Sequence, residues 1–465
     1  MAVATKQDTT LIVTEDGDIC AFGDNGSGCL GVGNYTYTGV AVRLRHDVVF
    51  GGHKVVMVAL GGTFAGCVTD NGSVWTWGDT LEVRHTMLPG GSAEGTHPNE
   101  ITTLPRRMCK SMHGNSPATM VAFGDTVSVI LTATGDIFHY SERAPTPVLM
   151  DKIMFDNTPI GMIAAGGSHF LALSKTGGRV WSWGDNDKLQ TGLATHAHRV
   201  LQPTAVPHNF DGGEVAFISC GYDFSMAVTV DGVLWACGNN ENGECGAVDW
   251  LESEVFRRIG GPEYFGPGGV HSVSCAGAHT LILAKNHSVW SCGYNHSGEL
   301  GSVPHWNEQL VRPGVVPIAF PDDPEVPGDH NVVVVAAGGH MSFVVTSGGL
   351  VFLWGRKQNW ELVRSLPHQL PDWVMGDVAG TSDDCRAGRW HVCNRKRTMA
   401  FMQGVAAIAP HKIPPDMRVP SDMRVPSGMT ELSADFLRYL FHNMRLVPPA
   451  TMGTGVQRLL GLDPA

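Results

Sequence analysis

The stretch Ile163-Ala-Ala-Gly-Gly-Ser-His-Phe-Leu-Ala-Leu-Ser174, continued by Lys175-Thr-Gly-Gly178 and Arg179-Val-Trp-Ser-Trp-Gly184, decides the fold of this 465-residue chain. Apolar residues alternate with small or polar ones along Leu171-Ala-Leu-Ser174 and Val180-Trp-Ser-Trp183, which is the two-residue period of a strand. Glycine-bearing turns separate the runs, so the stretch reads as three short strands in a meander. The phrase recurs at 215–238, with Asp231-Gly232 as the turn, and at 270–293, ending Val289-Trp-Ser-Cys-Gly293. Looser copies lie at 2–23 (Asp16-Gly17), 55–78 (Asn71-Gly72), 120–140 (Thr134-Gly135) and 332–355 (Gly348-Gly349), which makes seven. Asp-Gly and Asn-Gly supply the positive φ that tight hairpins need.

Taking the residue just after the first turn as an anchor gives Thr9, Phe64, Val127, His169, Phe224, His279 and Met341, with gaps of 55, 63, 42, 55, 55 and 62. Fixed cores with variable spacing are what loops on one rim of a repeat array produce. Each small sheet has two apolar faces that it cannot bury alone. Copies must therefore stack, and radial stacking leaves only short, protected edges. The expected fold class is all-β, a seven-bladed β-propeller over 1–370. A C-terminal extension over 371–465 follows, mostly irregular and ending in a short helix.

Composition agrees with this reading. Glycine (58 residues) and proline (27) point to many turns, and 43% hydrophobic residues supply a core. The formal net charge of −12 disfavours broad binding to phosphate backbones, so no direct DNA binding is expected. The densest basic stretch, with Arg386, Arg389, Arg395, Lys396 and Arg397, reads as a solvated turn or edge strand. Cys20, Cys67, Cys220, Cys237, Cys275 and Cys292 sit in apolar strand patterns, where cysteine behaves as a small hydrophobe. The opening residues carry no long apolar run, and no stretch approaches the ~20 apolar residues of a membrane span. The expectation is a reducing compartment, cytoplasmic or nuclear, and no membrane insertion.

These motifs also resemble a known family. Ala-Gly-x-x-His, then Gly-x-Val-Trp-x-Trp-Gly, then Asn-x-x-Gly-x-Leu-Gly is similar to the repeat of the regulator of chromosome condensation family. Tyr294-Asn-His-Ser-Gly-Glu-Leu-Gly301 and Asp24-Asn-Gly-Ser-Gly-Cys-Leu-Gly31 carry its last part, and Asn239-Asn-Glu-Asn-Gly-Glu-Cys-Gly246 differs at Cys245. The resemblance covers roughly 1–370 and implies seven blades of about four strands. Similar members include an exchange factor for the Ran GTPase, a plant ultraviolet-B photoreceptor and protein-binding modules of larger assemblies. Fold alone does not choose among them. Photoreception is disfavoured, because the turns Gly62-Thr63, Asp125-Thr126, Gly167-Ser168, Tyr222-Asp223, Gly277-Ala278 and Gly339-His340 contain neither Trp nor Arg.

Two functions remain. One is a regulatory or scaffold propeller that binds protein partners through its loop faces. The other is guanine-nucleotide exchange on a Ran-like small GTPase, which the resemblance implies would use acidic residues in these turns. The candidate partner-binding residues are Asp8, Asp125, Asp223 and His340. Each Asp has a plainer role open to it, bonding its own turn backbone. No catalytic residue, cofactor or metal is expected. Gly26-Ser-Gly-Cys-Leu-Gly31 matches a dinucleotide-site string, but it recurs between β repeats instead of opening a helix. His169 and His279 hold the repeat histidine, which in the family is a buried hydrogen-bonding residue. His196 and His198 lack a ligand framework, and Ser168-His169 adjacency is not a nucleophile–base geometry.

Outside the repeats, 79–117 reads as an extended rim loop between blades two and three. In the extension, 398–404 reads as a strand that helps to close the ring, and 409–430 as a linker containing the duplicated Asp-Met-Arg-Val-Pro-Ser (416–421 and 422–427). A helix is expected over 433–444, capped by Ser433, with Phe436, Leu437, Leu440, Phe441 and Met444 on one face.

Overall fold

The computed structural model describes residues 2–79, 102–108, 115–301, 311–318, 331–347, 351–356 and 362–369, apart from positions 7, 126, 142, 143 and 250. The chain divides into a unit of residues 1–378 and one of 379–465. The ring-closing strand, the linker, the duplication, the basic stretch and the helix expected in the extension all lie outside the described residues.

The first unit contains seven four-stranded sheets, each an antiparallel meander that pairs sequence neighbours only. These are the seven blades. Every anchor residue opens the second strand of its blade: Thr9–Val13, Phe64–Thr69, Val127–Thr132, His169–Ser174, Phe224–Thr229, His279–Ala284 and Met341–Thr346. In blade four the register sets Phe170 opposite Trp183 and Ala172 opposite Trp181.

Burial explains why the repeat must close. The second strand of blade four is buried along its whole length. Phe170 and Ala172 join the apolar cluster shared with blade three, while Leu171 and Leu173 join the one shared with blade five. The two-residue period thus feeds two cores from one strand. Among the described residues there are seven such clusters, one at each junction. The seventh joins Ile12, Cys20 and Phe22 of blade one to Ala336, Met341 and Phe343 of blade seven. At this closing junction a Cβ on Gly338 would fall 2.1 Å from the Thr5 carbonyl oxygen, so only glycine lets the two inner strands approach.

The sequence reading finds three strands per copy, and each blade has a fourth on its outer edge, such as Arg199–Ala205 and Ser253–Gly260. Thr102–Arg107 is this strand in blade two, so the expected rim loop over 79–117 is interrupted by an element. The remainder of that loop is largely outside the described residues.

Candidate functional site

One face of the ring is assembled from two kinds of turn. The residue that ends the third strand, or the one just after it, donates its N–H to the turn between strands one and two. The bonds are Asp24 to Asp8 (3.0 Å), Asp79 to Thr63 (2.9 Å), Asp185 to Ser168 (3.0 Å), Asn239 to Asp223 (2.9 Å) and Tyr294 to Ala278 (2.8 Å). The first turns and the loops after the third strands therefore share a face. Backbone hydrogen bonds also link the first turns of successive blades: Asp125 N–H to Gly167 (2.8 Å), Gly167 N–H to Tyr222 (3.0 Å) and Tyr222 N–H to Ala276 (3.2 Å). This belt holds the inner turns of blades three to six in fixed register.

The Asn-x-x-Gly-x-Leu-Gly loop has a structural role. Asn25, Asn240 and Asn295 are buried, and each side-chain oxygen accepts the N–H five residues on, at Leu30 (3.0 Å), Cys245 (3.1 Å) and Leu300 (2.9 Å). Asn186 does the same for Thr191 (3.1 Å), which reveals a fourth copy, Asp185 to Gly192. Sequence reading misses it because Leu189 (φ 61°) replaces the glycine found at 28, 243 and 298. The carbonyl just before the loop's last two residues then accepts from the next blade. Cys29 accepts from Trp77 Nε1 (2.6 Å), Gln190 from Ser225 Oγ (2.7 Å), Glu244 from Thr280 Oγ1 (2.9 Å) and Glu299 from Ser342 Oγ (2.8 Å) and Trp354 Nε1 (2.7 Å). Gly26 to Gly31 is such a loop, so the dinucleotide-like string serves blade-to-blade locking.

The repeat histidines are equally interior. His169 Nε2 lies 2.8 Å from Ser225 Oγ, and His279 Nε2 lies 3.0 Å from Ser342 Oγ. Burial pushes each imidazole down to about 4, so both are neutral near pH 7. His169 bonds a serine of the next blade and is sealed from solvent, so Ser168-His169 does not form a nucleophile–base pair. His198 pairs with Asp187 (2.7 Å) on an exposed loop, and His196 lies 3.5 Å from Glu254. Among the described residues no group of three or more His, Cys, Asp or Glu could hold a metal ion.

The four candidate residues fall into two settings. Asp125 accepts from Lys6 Nζ of blade one (2.8 Å) and bonds Tyr222 of blade five. Three non-adjacent blades thus meet at one carboxylate. Tyr222 is 50% exposed, and its ring lies over the Gly166-Gly167 turn: a Cβ on Gly167 would meet it at 3.1 Å. The charge of Asp125, then burial and the hydrogen bond, pushes the Tyr222 hydroxyl up, with smaller contributions from Asp223 and Asp185. Burial likewise raises Asp223 against the opposing field of Lys188, while Asp185, Asp125 and Asp187 raise it further. Asp8 stands at the matching turn of blade one, two residues from Lys6.

Asp223 and His340 are also held by the loop of the preceding blade. Gln190 Nε2 donates to Asp223 Oδ1 (3.3 Å), and His340 Nδ1 lies 2.9 Å from Oε1 of the fully buried Glu299. Gln190 and Glu299 occupy the same loop position one residue before the penultimate one, each facing the first-turn residue of the next blade. Lys6, Tyr222, Gln190 and Glu299 were not singled out by sequence reasoning. The available signal was the polar residue recurring in that loop position, paired with a complementary residue in the following turn.

Comparison with known proteins supports the repeat reading. The regulator of chromosome condensation repeat matches residues 177–228, and a second model of that repeat matches 163–190 and 215–244. The mitochondrial RCC1 domain-containing protein RUG3 of Arabidopsis thaliana is 26% identical over 375 residues, covering 80% of this chain and 69% of that protein. A secretion-regulating guanine nucleotide exchange factor of Bos taurus is 31% identical over 180 residues, covering 39% of this chain and 36% of that protein. Prp20p of Saccharomyces cerevisiae, a solved structure described with its binding to Gsp1p and histones, superposes with a TM-score of 0.62 at 20% identity. It covers 77% of this chain and 87% of its own, and it bears on the fold alone.

Proposed function

We propose that this seven-bladed propeller of regulator of chromosome condensation repeats is a regulatory platform that binds a protein partner through the face carrying Asp125, Tyr222 and Asp223. The observation that carries the reading is the setting of Tyr222. It is half exposed, fixed at its hydroxyl by Asp125 and at its backbone by the belt of turns. A large amphipathic side chain ordered before binding loses little freedom on complex formation. The surrounding carboxylates favour a partner with a basic surface and repel an acidic one.

Prp20p, which shares the fold, is described with binding to Gsp1p and histones, so this fold is one that can carry a protein-binding surface. Affinity purification with cross-linking identifies that partner. The double variant Tyr222→Ala, Asp125→Asn then weakens its binding roughly 30-fold, the loss of an ordinary hot spot of about 2 kcal/mol. Unchanged affinity would reject this face as the binding surface.

The second reading, nucleotide exchange on a Ran-like GTPase, rests on Asp223. This carboxylate is placed on the ordered face, and the Bos taurus relative is named an exchange factor. Exchange requires a surface that favours the nucleotide-free state of the GTPase and no covalent step. Fluorescent-nucleotide release from a panel of small GTPases tests it. Acceleration that is lost in Asp223→Ala supports exchange, and the absence of acceleration across the panel leaves the binding platform.

A further inference from the structure

Three bulky residues break the small-residue pattern at the start of the first turns, and they are bonded to one another. Three residues before the anchor stand Gly61, Gly124, Gly166, Gly221, Ala276 and Gly338, but Lys6 in blade one. Two residues before it, among the described residues, stand Gly62, Gly167, Gly277 and Gly339, but Asp125 in blade three and Tyr222 in blade five. Lys6 Nζ lies 2.8 Å from Asp125 Oδ1, and Asp125 bonds the Tyr222 hydroxyl. Each link crosses a blade whose turn is glycine. A Cβ on Gly62 of blade two would fall 3.3 Å from Asp125 Oδ1, and one on Gly167 of blade four 3.1 Å from the Tyr222 ring. A Cβ on Gly277 of blade six, beyond the last link, would meet nothing within 4 Å.

The links start at the seam of the ring. Among the described residues every blade is built from consecutive strands, so no strand is exchanged between blades seven and one. Their junction holds the apolar cluster of Phe22 and Phe343, with the Thr5 and Lys6 backbone close against Gly338. Lys6 ends the inner strand at that seam, Ala2–Lys6. The backbone belt of first turns joins blades three to six, and the Lys6–Asp125 pair extends it to blade one. This ion pair is partly buried, so salt screens it less than a fully exposed one.

We propose that Lys6, Asp125 and Tyr222 form a clasp that couples the seam between blades seven and one to the candidate binding face. Local opening of the seam carries Lys6 away from Asp125 and releases Tyr222. By reciprocity, a partner that binds the ordered Tyr222 tightens the seam. Only this last consequence rests on the binding-platform reading, and the coupling itself is measurable without a partner.

Amide hydrogen exchange over residues 2–6 and 332–338 of the full-length protein reads the seam. Lys6→Met and Asp125→Asn are each expected to speed exchange there about fivefold, the factor of one partly exposed ion pair. The double variant is expected to match the singles, because all three remove the same link. Lys188→Met, which removes the ion pairs to Glu241 and Glu252 between blades four and five, is expected to leave the seam unchanged. In the other direction, 3-fluorotyrosine placed at position 222 reports the clasp by fluorine NMR. Phe343→Ala, which loosens the seam, is expected to move its resonance towards that seen with Lys6→Met. Seam exchange unchanged in Lys6→Met and Asp125→Asn, fully additive effects, equal acceleration by Lys188→Met, or a resonance unmoved by Phe343→Ala overturns the proposal. Partner affinity unchanged in the Tyr222→Ala, Asp125→Asn pair rejects the binding face and leaves the clasp standing.

Discussion

The two repeat histidines set a pH dependence that can be worked out in sign. In the folded chain, burial holds His169 and His279 at about 4. In the unfolded chain an imidazole titrates near ~6.5. Above that value neither state is protonated, and the stabilisation is complete. As pH falls from ~6.5 towards 4, the unfolded chain takes up protons that the folded chain refuses, so stability is lost across that window. The loss is on the order of 3 kcal/mol for each histidine. Urea midpoints at pH 7 and pH 4.5 read it directly. Blade five shows the remedy, since Phe224 occupies the same position and Thr280 of the next blade still donates to the Glu244 carbonyl. His279→Phe is therefore expected to flatten the acid limb by about half. An acid limb unchanged in this variant would place the titrating groups elsewhere.

At the scale of the element, the three inner strands of each blade were legible and the outer one was not. Second and third strands carry both apolar faces, so their alternation is dense and all seven anchors fall on a strand start. The outer strands carry a different pattern. Arg199–Ala205 is largely exposed and contains Pro203, as an edge strand tolerates. Nothing in such a run marks it as β. The site was less legible than the fold for a related reason. Asp125, Asp223 and His340 could be placed in turns, but their partners Lys6, Gln190 and Glu299 come from other blades, at separations that periodicity does not encode. The loops make a separate prediction. Gly31 (φ 71°) and Gly51 (φ 67°) share a backbone conformation, but a Cβ on Gly31 would fall 2.9 Å from Trp77 Nε1, while one on Gly51 meets nothing. Gly51→Ala is expected to cost only the backbone strain of about 1–2 kcal/mol. Gly31→Ala adds displacement of a buried tryptophan and costs a further 1–3 kcal/mol. Equal unfolding midpoints for the two variants would refute blade-to-blade locking through this loop.

At the scale of the whole propeller, stability and function depend on the same closure. Phe343, buried in the junction between blades seven and one, packs edge-on to Phe22 with ring centroids 6.0 Å apart. Phe343→Ala is expected to lower stability by about 3–5 kcal/mol, as in other tightly packed cores. Equilibrium denaturation checks this, and a loss below 1 kcal/mol would mean that the closing junction is not a core. A closed ring holds its first turns at fixed spacing, and that gives the acidic, tyrosine-bearing face its rigidity. The opposite face carries the turns between second and third strands, such as Asp231-Gly232. Photo-cross-linking distinguishes the two faces most directly, with a benzophenone amino acid placed at Tyr222 in one variant and at Asp231 in another. The account predicts partner adducts from the position of Tyr222 and few or none from that of Asp231. Adducts from Asp231 alone would contradict it.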